Sequence, residues 1–287
     1  MATDDSDSNS ADGSQTTSKS RTLSSSAGPG LASILATAVA TLRGQPLLFV
    51  PFAVVGALGA ASTVARLASP YPVGLAPFPE SGLVRLSLPF VPRLEPTVEM
   101  APAVLAGMKP RFLLAFVGWQ VALRAATAVA FACCLWLAAA DTDGIAPPLD
   151  RVAWLVAYVV GIDSALFGVL FLSGLWAGSG TGLAFVALLV LAPLLVWLFV
   201  APASIVLGGK RPLAAAIESQ DYAVSSPVAV LVLLVGLGYA GYALTGVSRL
   251  VPSPTIGAAL ATVVSVTVAG TAHAVAVATL YRVGSRE

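Results

Sequence analysis

Residues 112–139 read FLLAFVGWQVALRAATAVAFACCLWLAA. These twenty-eight residues contain one charge, Arg124, and no proline. About 20 apolar residues suffice to cross a hydrocarbon layer ~30 Å thick, and this run exceeds that. Helices of soluble domains average only ~10–14 residues. The stretch therefore reads as a membrane span, and the chain around it follows the same pattern. Further apolar runs occupy 46–66, 152–177, 182–207, 228–248 and 256–281. With no water at that depth, the backbone must satisfy its own hydrogen bonds, so each run is predicted to be a helix.

Composition agrees. The 287 residues are 57% apolar and 10% charged, and mean hydropathy is +0.89. A soluble domain is about 45–50% apolar and ~25% charged. The predicted fold is all-α: a polytopic transmembrane bundle of six spans plus short interfacial amphipathic helices, occupying 31–287. Basic and acidic residues nearly cancel, 15 against 14, which leaves no field to attract nucleic acid. Cys133 and Cys134 are adjacent in an apolar run. That spacing builds neither a disulfide framework nor a C-x-x-C metal site.

Residues 1–30 contain nine Ser, four Thr and four Asp. A segment with so little to bury cannot offset its ordering entropy and is predicted to be a disordered tail. It lacks the basic start and apolar core of a signal peptide, so it is expected to stay in the cytoplasm. Short stretches ahead of some spans are amphipathic. In 31–44, Leu31, Ile34, Leu35, Val39 and Leu42 recur at helical spacing. In 213–225, Leu213, Ile217 and Val224 oppose Glu218, Ser219, Gln220 and Asp221. Such helices lie along the interface with their apolar face toward acyl chains, and 99–110 is a weaker copy. Pro51, Pro193 and Pro202 fall inside spans. Each removes a helical donor and is predicted to bend its helix, as a hinge or as plain packing geometry.

The segment LFVAPASIVLGGKRPLAAAIESQDYAVSSPVAVLVLLVGL and the ending TAHAVAVATLYR resemble a family of six-helix membrane domains. In some bacteria that domain precedes a glycerophosphodiester phosphodiesterase. The shared positions are Pro202, Ala203, Val206, Gly209 and Lys210, then Leu280, Tyr281 and Arg282. The resemblance implies a six-helix domain over about 31–283. It implies no activity, since the phosphodiesterase's acidic and His metal-binding set is absent from this chain.

Six spans put both termini on one side. With the termini cytoplasmic, eight Lys/Arg lie inside and six outside, with Arg124 left in a span. Five of the outer six fall in the Pro-rich loop 66–111, and long loops obey the positive-inside rule less strictly. The chain is accordingly expected in the cell (plasma) membrane, multi-pass, with cytoplasmic termini. Within the loop, Leu83–Leu88 could form a short strand. The loop reads either as a binding lid or as a cap over the helix ends.

Three ionisable residues lie within spans: Arg124, Asp163 and His273. On insertion scales Arg or Asp costs about 2.5–3.5 kcal/mol at mid-membrane, so such residues face inward and find partners. Arg124 and Asp163 fall at similar depths on consecutive antiparallel spans. They could meet, with Gln120 one turn from Arg124 as a third member. The pair reads as a polar site for an ion or anionic substrate, or as a buried ion pair fixing helix register. His273 is the only histidine, too few for a multi-His metal site. It either titrates in a transport cycle or hydrogen-bonds a neighbour. Gly174, Gly178, Gly182, Gly236, Gly238, Gly241 and Gly246 allow close helix approach.

No nucleotide-binding, metalloprotease or hydrolase motif occurs, and neither cofactor nor metal is expected. The expected function is a non-enzymatic membrane module with an organising or accessory role in the envelope. The alternative is a small-solute transporter or channel with its polar site at Arg124 and Asp163. The expected partners are membrane lipids, and a second copy or another membrane protein packed on the Gly-rich faces.

Overall fold

The computed structural model describes residues 31–69, 74–75, 91–99, 107–139, 144, 146–177, 193–225 and 227–284. The N-terminal tail, Leu83–Leu88, most of the weak amphipathic copy and the first part of the fourth predicted span lie outside these residues. The helices are α1 Leu31–Gly44, α2 Phe49–Leu67, α3 Pro110–Ala138, α4 Leu149–Ala177, α5 Ala201–Val206, α6 Pro212–Ser225, α7 Pro227–Leu244 and α8 Pro254–Gly284. A 3-10 turn, Pro46–Leu48, leads into α2, and another, Thr245–Leu250, follows α7. The only strand pairing among the described residues is two residues long, Gly74–Leu75 against Val98–Glu99, antiparallel.

Four helical segments are long and apolar enough to cross a membrane: Pro46–Leu67, Pro110–Ala138, Pro227–Leu250 and Pro254–Gly284. They match predicted spans one, two, five and six. Predicted span three coincides with α4, a continuous helix of 29 residues. Of span four the described part is the shorter apolar helix Pro193–Val206. The lateral surface is apolar, with Val54, Leu114 and Val228 each at least 65% exposed. Water would penalise such a belt, whereas acyl chains match it.

Prolines open α3, α6, α7 and α8. The N–H that proline lacks is one a helix start leaves unpaired anyway, and its fixed φ suits the first turn. Pro51 behaves the same way. It lies in the first turn of α2, so the bend expected there is not needed. Pro202 does interrupt its helix, at Phe199–Val200, and side chains from two neighbours bridge the gap. The Tyr158 hydroxyl donates to the Leu198 carbonyl at 3.4 Å. The Val200 N–H donates to Ser219 Oγ at 3.1 Å. At the other end of α5, Arg151 Nη1 donates to the carbonyls of Val206, at 2.8 Å, and Leu207, at 3.3 Å. The chain then turns at Gly209, whose φ of +65° favours glycine.

The core forms where small residues let helices close on one another. Gly270 of α8 takes the Phe52 ring of α2 where a Cβ would stand. Gly56 lies against Val263 and Thr267 in the same way. Gly241 of α7 meets Ala269, and its carbonyl accepts from Ser265 Oγ at 2.7 Å. Helix α8 is the most enclosed of the four candidate spans and α7 the least.

The two amphipathic segments are helices of 14 residues each. In α1, Ile34 and Ala38 are buried while Leu35 and Val39 are exposed. In α6, the small residues Ala215, Ser219 and Ala223 face the bundle. Leu213, Ile217 and Val224 are exposed, and Glu218 pairs with Lys210 at 2.7 Å. Each helix thus keeps an apolar face uncovered by protein, the property expected of a helix lying at a lipid interface.

A short strap from loop 66–111 enters the bundle. Val91, Leu94 and Thr97 are buried, and the Leu94 carbonyl lies where a Cβ on Gly59 would be. A Gly59→Ala substitution should force the strap outward and destabilise the protein by about 1–3 kcal/mol, the usual cost of overpacking. Gly118→Ala, with open space around the new methyl, should be neutral or stabilising by up to ~1 kcal/mol. Thermal unfolding of both variants in detergent measures the contrast, and equal effects would refute the packing argument.

Candidate functional site

Arg124 is the fifteenth of 29 residues in α3, and Asp163 the fifteenth of 29 in α4. The helices run antiparallel, so the two midpoints meet. Arg124 Nε lies 2.6 Å from Asp163 Oδ2, and both side chains are about a quarter exposed. A charge-assisted contact this short is a strong hydrogen bond as well as an ion pair.

Gln120 does not join the pair. Its amide, turned so that the oxygen faces the guanidinium, accepts from Arg66 Nη1 at 3.1 Å. Arg66, at the end of α2, outcompetes the Arg124 one turn away because its guanidinium is held at Gln120's level. Arg66 Nη1 lies 3.2 Å from Glu95 Oε2, and its guanidinium stacks 5.0 Å above the Phe116 ring. The second oxygen of Glu95 accepts from the Ser62 hydroxyl. Ser62 in turn accepts from Trp119 Nε1 at 2.7 Å. Beside this network, Thr97 Oγ1 lies 2.9 Å from Thr262 Oγ1. The strap is therefore fixed to α2 and α8 by polar groups at one end of the bundle, and α3 joins the network through Ser62 and Arg66 of α2.

His273 also stands apart from the pair. It is buried between Phe199, stacked with ring centroids 5.1 Å apart, and Phe131, edge-on at 5.4 Å. Phe131 is seven residues along α3 from Arg124, about 10 Å of helix rise. The expected hydrogen bond to a neighbour is not made at Nε2, which has no partner among the described residues. Aromatic packing encloses the ring on two sides. Among the described residues no group of three His, Cys, Asp or Glu could hold a metal.

One charged residue of the strap was not singled out from the sequence. Arg93, on the strap, is exposed at its surface and makes no ion pair among the described residues. Surrounding protein desolvates its guanidinium and pulls its pKa below the ordinary arginine value. Arg124 pushes the same way, and Asp163 opposes. Strap and pair thus share one electrostatic environment. The signal available in the sequence was the alternation in Val91-Pro92-Arg93-Leu94-Glu95, in which apolar residues to bury flank charges.

Arg124→Leu and Asp163→Leu should each destabilise the protein by strongly correlated amounts, because each strands the partner's charge. The double variant should recover part of the loss, with a coupling of about 0.5–3 kcal/mol. A double-mutant cycle on thermal stability in detergent measures it, and additive losses would show that the pair contributes nothing as a pair. The chain matches no protein family, no curated protein and no solved structure.

Proposed function

We propose that this chain is a six-span, multi-pass module of the plasma membrane with both termini cytoplasmic, and that it organises other envelope components without catalysing a reaction. The observation that carries this reading is the local neutralisation of Arg124 by Asp163 at 2.6 Å. A mid-helix charge consumed by a neighbouring helix serves register and packing rather than turnover. Helix α7 supports the partner role. It is the least enclosed of the candidate spans, and its Gly236 has open space where a second helix could approach. The resemblance to stand-alone six-helix domains, through Pro202, Ala203, Val206, Gly209 and Lys210, points the same way.

A second reading, a transporter or channel for a small anion, is favoured by Arg93. Its charge feels both members of the pair, and no carboxylate within salt-bridge distance offsets it among the described residues. The two readings separate in a binding screen of lipids and small solutes on the purified protein. The module should bind lipid and show no saturable small-anion binding. Saturable anion binding abolished by Arg93→Gln would replace the first reading with the second.

The topology has its own test. A reporter fused after Gly178 should report the outside, and one fused after Arg211 the inside. The reverse pattern would overturn the orientation.

A further inference from the structure

Depth separates a lid from a cap over the helix ends. The Leu94 carbonyl of the strap occupies the place of a Cβ on Gly59. Gly59 lies eight residues before Leu67, the last residue of α2. At 1.5 Å per residue, the strap therefore sits about 12 Å inside the bundle. A cap would rest at the level of Leu67.

What the strap covers is polar. Ser62 and Thr63 of α2 and Thr262 of α8 are buried. Thr63 Oγ1 lies 3.5 Å from Thr262 Oγ1, which lies 2.9 Å from Thr97 Oγ1 on the strap. The Ser62 hydroxyl donates to Glu95. Hydroxyls left bare in an apolar medium are costly, and acyl chains offer them nothing. With the strap withdrawn, this groove is one that water or a polar solute fills.

The other side of the strap already meets water. Arg93, next to Leu94 in the chain, is exposed. Hydrocarbon penalises a guanidinium, and charged groups at membrane depth face protein or a water-filled cavity. Water thus reaches down to the strap from its own end of the bundle.

The attachment is releasable. Pro92 and Pro96 have no N–H to give. No backbone hydrogen bond ties residues 91–97 to a helix among the described residues. Side chains hold the strap: Val91 and Leu94 in the core, Thr97 on Thr262 and Glu95 on Arg66 at 3.2 Å. Glu95 forms the strap's one ion pair among the described residues. Neutralising it weakens the hold without altering the groove walls.

We infer that residues 91–97 are a displaceable plug in a water-filled entrance, latched by Glu95, whose withdrawal opens a hydroxyl-lined groove between α2 and α8 to water and small polar solutes. Such an entrance serves a partner-binding module and a transporter alike.

The test is thiol labelling of the full chain in lipid nanodiscs, with Cys133 and Cys134 replaced by alanine. A charged, membrane-impermeant methanethiosulfonate then reaches both faces but not the lipid. Single cysteines are introduced as Arg93→Cys above the plug, Thr63→Cys beneath it and Leu114→Cys on the apolar lateral surface. Arg93→Cys should react at least ~10-fold faster than Thr63→Cys, because a covered thiol reacts only in the locally open fraction. Adding Glu95→Gln should raise the Thr63→Cys rate at least ~10-fold by enlarging that fraction, with Leu114→Cys inert throughout. Leu94→Ser, which removes an apolar anchor instead of the latch, should act in the same direction and replaces Glu95→Gln if that variant fails to fold. An inert Arg93→Cys would overturn the water-filled entrance. Rapid reaction of Thr63→Cys with the latch intact would overturn the closure. An unchanged slow rate in folded Glu95→Gln and Leu94→Ser would make the strap a fixed cap and overturn the plug. Labelling of Leu114→Cys on release would show general loosening and overturn a local opening.

Discussion

Arg124 and Asp163 meet at the midpoints of two 29-residue helices inside an apolar bundle. Hydrocarbon cannot solvate either charge, and apolar packing alone tolerates several rotations of one helix against the next. The 2.6 Å contact selects one of them. With α3 and α4 set in register, Trp136 of α3 is placed 5.5 Å beneath the Arg151 guanidinium of α4. That arginine then reaches the carbonyl end of α5. The constraint at the centre thus propagates to the bundle's end through one rigid helix pair.

The same requirement, that no backbone polar group be left bare in an apolar medium, explains the smaller polar side chains. The break before Pro202 frees a carbonyl at Leu198 and an N–H at Val200. Tyr158 takes the first and Ser219 the second. Ser219 belongs to a face of α6 made of Ala215, Ser219 and Ala223. Only small residues let α6 approach close enough for that hydroxyl to reach. An amphipathic helix that reads as a membrane-surface element is at once the helix that repairs a proline break.

The strap applies the constraint to a non-helical segment. Irregular backbone is tolerated at bundle depth only where protein covers it. Gly59 clears space for the Leu94 carbonyl, and Val91 and Leu94 are buried. Glu95 is held by Ser62 and Arg66. Arg93, carried on the same strap, feels the charges of both Arg124 and Asp163.

Apolar runs and their lengths determined the helical class, and the helix bounds follow closely: 110–138 against a predicted 112–139, and 254–284 against 256–281. Those readings succeed because helix formation in an apolar medium depends only on the local run of side chains. The juxtaposition of Arg124 with Asp163 was also within reach, since depth along a helix is a count of residues at 1.5 Å each. The partners of Gln120 and His273 were not. Gln120 is claimed by Arg66 from another helix, and His273 is enclosed by Phe131 and Phe199 from two others. Neither is visible to periodicity, which gives height and face but not which neighbour is nearest. The strap escaped for the same reason. Its glycine pocket lies on α2, its carboxylate partners lie on α2 as well, and its charged neighbours on α3 and α4, so only the closed tertiary structure assembles them. Sequence determines what each segment must bury; the packing of segments far apart in the chain decides what it is buried against.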